Sequence, residues 1–265
     1  MIKDILQTSH KLVIKIGSNT LAKEDGTVDH EFLENLTKQV IFLRERGIQV
    51  VIVSSGARIA GVSRTNRWSR KSDIHYKQAL CAIGQVELMA AYSNHFSLHN
   101  VFIGQLLLTK DHFFTEERSL NIRNTLFTLA DEGVVPIINE NDTVSVDQIK
   151  IGDNDTLSAQ VANLWNAGAL IILSDVNGLY DKNPKEYPDA KLIQEVRNLD
   201  EQMTKVRIGT ANEYGTGGIL TKIEAARMVN TYGIPMILSN GGIEDVLQKL
   251  FEGEQEATLF LPKED

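Results

Sequence analysis

The chain has 265 residues, and its 42% hydrophobic and 23% charged residues are close to the average for soluble globular proteins. Its net charge of −8 argues against partners such as nucleic acids and anionic membranes, which require a basic surface. The N-terminus lacks the apolar core of a signal peptide, and no run approaches the roughly 20 apolar residues of a membrane span. We therefore expect a cytoplasmic protein, in which the single Cys81 is a small buried packing residue.

Short β-branched runs alternate with amphipathic helical stretches along the chain. The pattern predicts, in order, strand 12–16, helix 29–46, strand 48–53, helix 75–97, strand 101–107, helix 116–131, strand 134–138, helix 155–166, strand 169–173, helix 218–231, strand 235–238, helix 243–250 and strand 257–260. The polar stretch 63–73 is expected to be a surface loop, and the alternating stretch 143–151 an extended arm. Near-continuous apolar strands separated by helices indicate an α/β fold with a mostly parallel sheet covered on both faces.

Polar residues follow the first two predicted strands, and parallel sheets bind their ligands beyond the carboxyl ends of the strands. Lys15 interrupts the first strand just before Gly17, where the backbone can approach a ligand closely. Ser54 and Ser55 follow the second strand, beside Gly56, and suit an anion or a polar group. A lysine that reaches into water and a serine that caps a helix are the simpler alternatives.

Two acidic, amide-rich loops follow later in the chain. Residues 139–142 (Asn-Glu-Asn-Asp) come after strand 134–138, and residues 152–155 (Gly-Asp-Asn-Asp) open helix 155–166. Such a cluster at the carboxyl edge of a sheet suits a cation, either a metal ion or the ammonium group of a substrate. Helix capping is the alternative, although a cap needs only one residue of this kind.

A glycine-rich loop at 215–222 (Gly-Thr-Gly-Gly-Ile-Leu-Thr-Lys) leads into helix 218–231. It is typical of phosphate binding, because a helix N-terminus offers N–H groups and the positive end of the helix dipole. It differs from a P-loop, which needs a Gly-Lys-Ser/Thr ending directly ahead of the helix. Ser174 and Asp175, after strand 169–173, suit a nucleotide, and a turn closed by Asn-Gly is the alternative.

These motifs together resemble the amino-acid kinase family, and within it the kinases that act on glutamate. They occur in register over about residues 10–261: Lys15–Ser18, Ser54–Ala57, Asn139–Asp142, Gly152–Ala159, Asp175–Tyr180 and Gly215–Lys222. The resemblance implies a three-layer αβα sandwich with a mostly parallel central sheet, formed by a single domain over residues 1–265. Many members have threonine in place of Ser174, and many bacterial members carry a C-terminal PUA domain, which we do not expect here.

By this resemblance the chain would transfer the γ-phosphoryl group of ATP to the side-chain carboxylate of L-glutamate, the first step of proline biosynthesis. Lys15 and Lys222 would flank the moving phosphoryl group, and Asp155 would orient both lysines. The substrate-binding residues would be Ser55, Asp142, Asp153 and Asn154. The ATP-binding residues would be Lys15, Gly17, Ser174, Asp175, Thr216, Gly217, Gly218, Ile219, Leu220, Thr221 and Lys222. Mg²⁺ would bridge ATP oxygens with few direct protein ligands.

Several alternatives and partners follow from the same resemblance. The chain could instead be a kinase that acts on acetylglutamate, aspartate or carbamate, or a non-catalytic nucleotide sensor, although a sensor could lose Lys15 or Lys222. We expect a homo-oligomer, a dimer or a tetramer, with the helices of 75–131 as candidate contacts. A glutamate-5-semialdehyde dehydrogenase is a candidate pathway partner. Inhibition by proline through residues 58–75 is left open.

Overall fold

The computed structural model describes residues 1–23, 27–65, 73–145, 154–184, 186–205 and 218–262. The helices in this part of the chain are α1 (Ile2–Thr8), α2 (His30–Arg44), α3 (Ala57–Thr65), α4 (Ile74–Ser97), α5 (Glu116–Asp131), α6 (Asp155–Trp165), α7 (Leu199–Lys205), α8 (Ile219–Asn230) and α9 (Val246–Glu252), with a 3-10 helix at Lys110–Phe113. The strands are β1 (Lys11–Ile16), β2 (Gln49–Ser54), β3 (Ile103–Leu108), β4 (Val135–Glu140), β5 (Ala169–Ser174), β6 (Glu195–Val196), β7 (Met236–Asn240) and β8 (Thr258–Phe260).

The strands form one eight-stranded sheet in the order β3-β4-β2-β1-β5-β7-β8-β6. Neighbouring strands run parallel, except that β8 pairs antiparallel with β7. Strand β1 lies at the centre, where Lys15 is opposite Val53 on one side and Ile172 on the other. The carboxyl ends of β1, β2, β4 and β5 therefore meet at one edge of the sheet.

Helices cover both faces of the sheet, because alternate residues of each central strand point to opposite sides. Ile14, Ile52 and Ile171 belong to one core, which also contains buried residues of α1, α2, α4 and α9. Val13 and Val53 belong to a second core on the other face, built with α5, α6 and α8. The expected three-layer αβα sandwich with a mostly parallel sheet is thus confirmed.

The predicted strands and helices are all present, with ends that differ by a few residues. Helix 29–46 is α2, which begins one residue later because Asp29 caps it by accepting from the N–H groups of Glu31 and Phe32. Helix 243–250 is α9, which begins only at Val246. The short elements α1, β6 and α7 were not predicted, since none is long enough to show a clear hydrophobic period.

The surface loop predicted at 63–73 is wrong at both ends. Residues 63–65 are the last turn of α3, and Asp73 caps α4 through the N–H groups of His75 and Tyr76. Residues 66–72 lie outside the described part of the chain. Helix α3 was missed because Gly61 weakens its helical pattern, yet a Cβ on Gly61 would collide with the carbonyl oxygen of Leu80 on α4. Glycine is required there for the two helices to cross closely.

The extended arm predicted at 143–151 is tested only at its start. Thr143 and Val144 belong to a turn, with the N–H of Val144 donating to the carbonyl oxygen of Asn141. Residues 146–151 lie outside the described chain.

Candidate active site

A buried carboxylate binds two lysines at the carboxyl edge of the sheet. Asp155, the first residue of α6, is 0% exposed. Its Oδ1 lies 2.6 Å from Nζ of Lys15 on β1, and its Oδ2 lies 3.0 Å from Nζ of Lys222 on α8. Lys15 and Lys222 are 4% and 9% exposed. One negative and two positive charges thus meet in a region of low solvent access, an arrangement that suits an anionic ligand.

The first turn of α8 contributes to the same cluster. The hydroxyl of Thr221 lies 3.0 Å from Oδ2 of Asp155 and 2.9 Å from the carbonyl oxygen of Gly218. Gly218 is the N-cap of the helix, so the positive end of its dipole adds to the charge of Lys222. Thr216 and Gly217, which were predicted to bind ATP, lie outside the described residues.

A cleft opens beside Lys222. Its lining includes the predicted residues Ser174, Asp175, Gly218 and Ile219. The lining is completed mainly by residues with apolar surface. Val176, Leu179 and Tyr180 belong to the predicted motif at 175–180, and Pro184 lies beyond it. A partly apolar cleft that ends at an ammonium group suits a flat base joined to a phosphate chain.

The remaining predicted nucleotide residues lie around this cleft. Gly17 follows β1, and its N–H donates to the carbonyl oxygen of Leu173 at 3.3 Å. Leu220 is 50% exposed on the first turn of α8. Neither residue lines the cleft itself, whereas Ser174 donates to the carboxylate of Asp175 at its mouth.

On the other side of Asp155, a group of buried amides and hydroxyls follows β2 and β4. Asn154, which precedes Asp155, donates from Nδ2 to Oγ of Ser55 at 3.0 Å. The same Nδ2 donates to Oδ1 of Asn139 at 2.8 Å. The structure therefore brings the predicted residues Ser55 and Asn154 together, while Asp153 lies outside the described residues. Asn139 lies in the predicted Asn-Glu-Asn-Asp motif, but the sequence analysis assigns it no individual role, although its place in that motif is a usable signal.

Asp142 lies in the turn after β4 and is mostly buried. Burial raises the pKa of this carboxyl to about 6, with a smaller upward contribution from Glu140, while a hydrogen bond from the Cys81 thiol and the charge of Arg58 oppose the increase. Cys81 is buried, as predicted, and burial raises the pKa of its thiol. A carboxylate that is costly to ionise gains free energy from a cationic ligand.

In the described part of the chain we find neither a metal cluster nor a membrane helix. The described residues contain no group of three or more His, Cys, Asp or Glu side chains placed to hold a metal ion. Within the same ranges, no helix combines the length and the apolar character that crossing a bilayer requires.

Comparisons with known proteins agree with this geometry. Residues 10–240 match the model of the amino acid kinase family. A protein of Alkaliphilus oremlandii named glutamate 5-kinase is 64% identical over 260 residues, covering 98% of this chain and 99% of its own length. A Treponema pallidum protein of the same name is 40% identical over 294 residues, covering 99% of each chain.

Solved structures show the same fold at low identity. A UMP kinase from Ureaplasma parvum has a TM-score of 0.66 and 18% identity, covering 94% of this chain and 97% of its own. Carbamate kinase from Giardia lamblia bound to AMP-PNP has a TM-score of 0.67 and 16% identity, covering 96% and 99%. From the matched family model and the close relatives, this chain belongs to the amino acid kinase family.

Proposed function

We propose that this protein is a glutamate 5-kinase. It transfers the γ-phosphoryl group of ATP to the side-chain carboxylate of L-glutamate, giving γ-glutamyl phosphate for proline biosynthesis. The relatives of this name, one of them 64% identical over nearly the full length, support the substrate. The observation that carries the chemistry is the binding of Lys15 and Lys222 to the two oxygens of one buried carboxylate, next to a partly apolar cleft.

The reaction requires positive charge more than it requires a base. The attacking carboxylate is already ionised at pH 7, since a free glutamate side chain titrates near about 4.3. Its approach to the phosphate chain is opposed by about 4 kcal/mol for each pair of unit charges about 4 Å apart at an effective dielectric constant near 20. Lys15 and Lys222 offset this repulsion, and Asp155 holds both ammonium groups in place before the substrates arrive.

The two substrates occupy different sides of Asp155 in this proposal. The cleft lined by Ser174, Asp175 and the start of α8 receives the nucleotide, and Thr216 and Gly217 complete the phosphate loop. Ser55, Asp142, Asp153 and Asn154 hold glutamate: the carboxylates face its ammonium group, and Ser55 and Asn154 form hydrogen bonds. The buried Ser55–Asn154 contact and the raised pKa of Asp142 support this assignment.

ATP is proposed to bind with Mg²⁺, whose chemistry is to neutralise and bridge phosphate oxygens. Both oxygens of Asp155 contact lysines, so its role here is to hold the two ammonium groups. A bound magnesium ion would supply positive charge to the phosphate chain, and we assign it no direct protein ligand.

The oligomer is proposed to form along α4. Five apolar residues of this helix are exposed at helical spacing and define the α4 stripe: Ala79, Ala82, Ile83, Val86 and Ala90. Val86 is 69% exposed. β3 is an edge strand of the described sheet and packs against α4, so the stripe lies near an edge that a second copy can cover. The dehydrogenase partner, the cytoplasmic location and the single-domain organisation over residues 1–265 stay predictions from the sequence.

The decisive experiment replaces Lys222 with methionine, which keeps the chain length but removes the charge. ADP formation with glutamate, ATP and Mg²⁺ should fall by about 10²–10³-fold, the usual cost of removing one group that stabilises the transition state. The melting temperature and circular dichroism spectrum should stay close to those of the wild type. Lys249→Met, on α9, is the matched control and should retain full activity.

The same assay separates the alternative functions. N-acetylglutamate, aspartate and carbamate are tested as acceptors beside glutamate. Faster turnover of the wild type with one of these acceptors would replace the proposed substrate, and absence of ADP with all of them would favour a nucleotide sensor. Near-wild-type activity of Lys222→Met would refute the assigned role of the lysine.

A further inference from the structure

A chain of buried amides connects α4 to the proposed glutamate site. Gln85 lies on α4, and its Oε1 accepts a hydrogen bond of 2.8 Å from Nδ2 of Asn139, near the end of β4. Oδ1 of Asn139 in turn accepts from Nδ2 of Asn154 at 2.8 Å. All three side chains are buried, and Asn154 is 0% exposed. The contacts therefore join a helix outside the sheet to the residue that precedes Asp155.

One backbone group identifies the direction of this chain. The N–H of Glu140 donates to Oδ1 of Asn139 at 2.8 Å, and a backbone N–H can only donate. This identifies the oxygen of the Asn139 amide, which otherwise could be exchanged with the nitrogen. Asn154 must then present its nitrogen to Asn139, and Asn139 must present its own nitrogen to Gln85.

The fixed direction determines which atom of Asn154 is left for a ligand. Nδ2 of Asn154 also donates to Ser55, so the nitrogen is fully used. Its Oδ1 is buried and has no hydrogen-bond partner among the described residues. A buried carbonyl oxygen without a partner costs free energy until a donor arrives. An ammonium group is such a donor, whereas a ligand acceptor group would be repelled.

We propose that Gln85 is a positioning residue that, through Asn139, holds the Asn154 amide with its oxygen turned to the ammonium group of the amino-acid substrate. The inference rests on the proposed function and deepens it. It explains why a helix that also carries the α4 stripe places a buried glutamine against β4. It also predicts which substrates the site discriminates between. A free ammonium group can donate to the Asn154 oxygen and carries the positive charge that Asp142 favours, whereas an acylated amino group has fewer donors and no charge.

A purely structural role for Gln85 is the competing explanation, and another buried glutamine shows what such a role looks like. Gln39 on α2 uses both ends of its amide, since Oε1 accepts from the N–H of Leu247 at 2.6 Å and Nε2 donates to Asn35. Gln85 uses its oxygen, while its Nε2 has no partner among the described residues. The Gln39 amide, with both ends hydrogen-bonded, joins two helices. The Gln85 amide, with only its oxygen hydrogen-bonded, ends a chain of contacts that leads to the site.

The test compares three variants by steady-state kinetics and thermal unfolding. Gln85→Met removes the acceptor at similar volume, Gln85→Glu keeps an acceptor oxygen in either protonation state, and Gln39→Met is the structural control. We expect Gln85→Met to raise the KM for glutamate about five- to tenfold, the effect of one hydrogen bond, with the KM for ATP within about twofold of wild type. Gln85→Glu should recover most of this loss. Gln39→Met should lower the melting temperature without changing either KM.

A second background tests whether the effect of Gln85 passes through Asn139. In Asn139→Asp both side-chain oxygens can only accept, so the direction toward Asn154 no longer depends on Gln85. Gln85→Met should then add little further change to the KM for glutamate in the Asn139→Asp background.

Three results would overturn the inference. They are an unchanged KM for glutamate in Gln85→Met, an equal rise of both KM values, and an undiminished effect in the Asn139→Asp background. The proposed function fails separately, if the wild type forms no ADP with glutamate.

Discussion

Asp142→Asn should make the protein more stable and a poorer enzyme at the same time. The Asp142 carboxyl is mostly buried, and burial raises its pKa from the usual aspartate value of 3.8 to about 6. At pH 8 the group is ionised in both the folded and the unfolded chain, and only the folded chain has to hold the charge away from water. The asparagine amide has nearly the same shape and carries no charge.

The pKa shift of Asp142 determines how much stability Asp142→Asn should gain. A change from 3.8 to about 6 is about two pKa units, or about 3 kcal/mol of unfolding free energy at pH 8. A carboxyl with a raised folded pKa contributes stability below its unfolded pKa and loses it as pH rises through the folded pKa. The advantage of Asp142→Asn should therefore shrink on acidification, to about half by pH 5 and to a small remainder near pH 4.

Thermal unfolding between pH 5 and pH 8.5 measures this directly. For a chain of this size, about 3 kcal/mol corresponds to a rise of about 5–10 °C in melting temperature at pH 8. Asp111→Asn, in the exposed 3-10 helix, is the control and should show no such gain. The KM for glutamate should rise in Asp142→Asn, because the ammonium group loses an ionised partner. A variant no more stable than wild type at pH 8, or a gain independent of pH, would show that the buried charge carries no such cost.

Two further predictions concern the packing of α4. Gly84→Ala should destabilise the protein by about 2–4 kcal/mol in urea unfolding, since its Cβ would collide with the carbonyl oxygen of Ala57 on α3. Gly242→Ala is the control and should cost much less, because its Cβ would meet only a side chain. Equal losses of stability in the two variants would contradict the close crossing of α3 and α4. Val86→Asp should convert the oligomer to a smaller species in light scattering without lowering the melting temperature. Lys3→Asp, on α1, is the control and should leave the mass of the oligomer unchanged. An unchanged mass in Val86→Asp would exclude the α4 stripe as the interface.

The sequence was sufficient to predict the sheet and to select the two lysines as candidate site residues. Continuous apolar runs identify buried parallel strands, and a lysine inside such a run, as at Lys15, is rare enough to draw attention. The pairing of Lys15 and Lys222 through Asp155 came from resemblance, because residues so far apart in the chain carry no local sign of contact. The fold brings them together, because α6 leads into β5, the neighbour of β1, and α6 packs against α8.

Other features of the site depend on packing that no local pattern reveals. Gln85 reads as one polar residue in a helix, and its partner on β4 is 54 positions away. Pro184 reads as an ordinary apolar residue until the chain returns to place it beside α8. Helix α3 was not predicted because Gly61 lowers the helix propensity of its sequence. The same glycine is required for the close crossing of α3 and α4.

The central position of Asp155 divides the labour of catalysis between two halves of the polypeptide. Everything proposed to recognise the acceptor comes from before this aspartate, and everything proposed to bind the nucleotide, apart from Lys15 and Gly17, comes after it. Evolution could therefore exchange one half's specificity while leaving the other untouched. A fold organised in this way can serve many phosphate acceptors with a single ATP-handling apparatus.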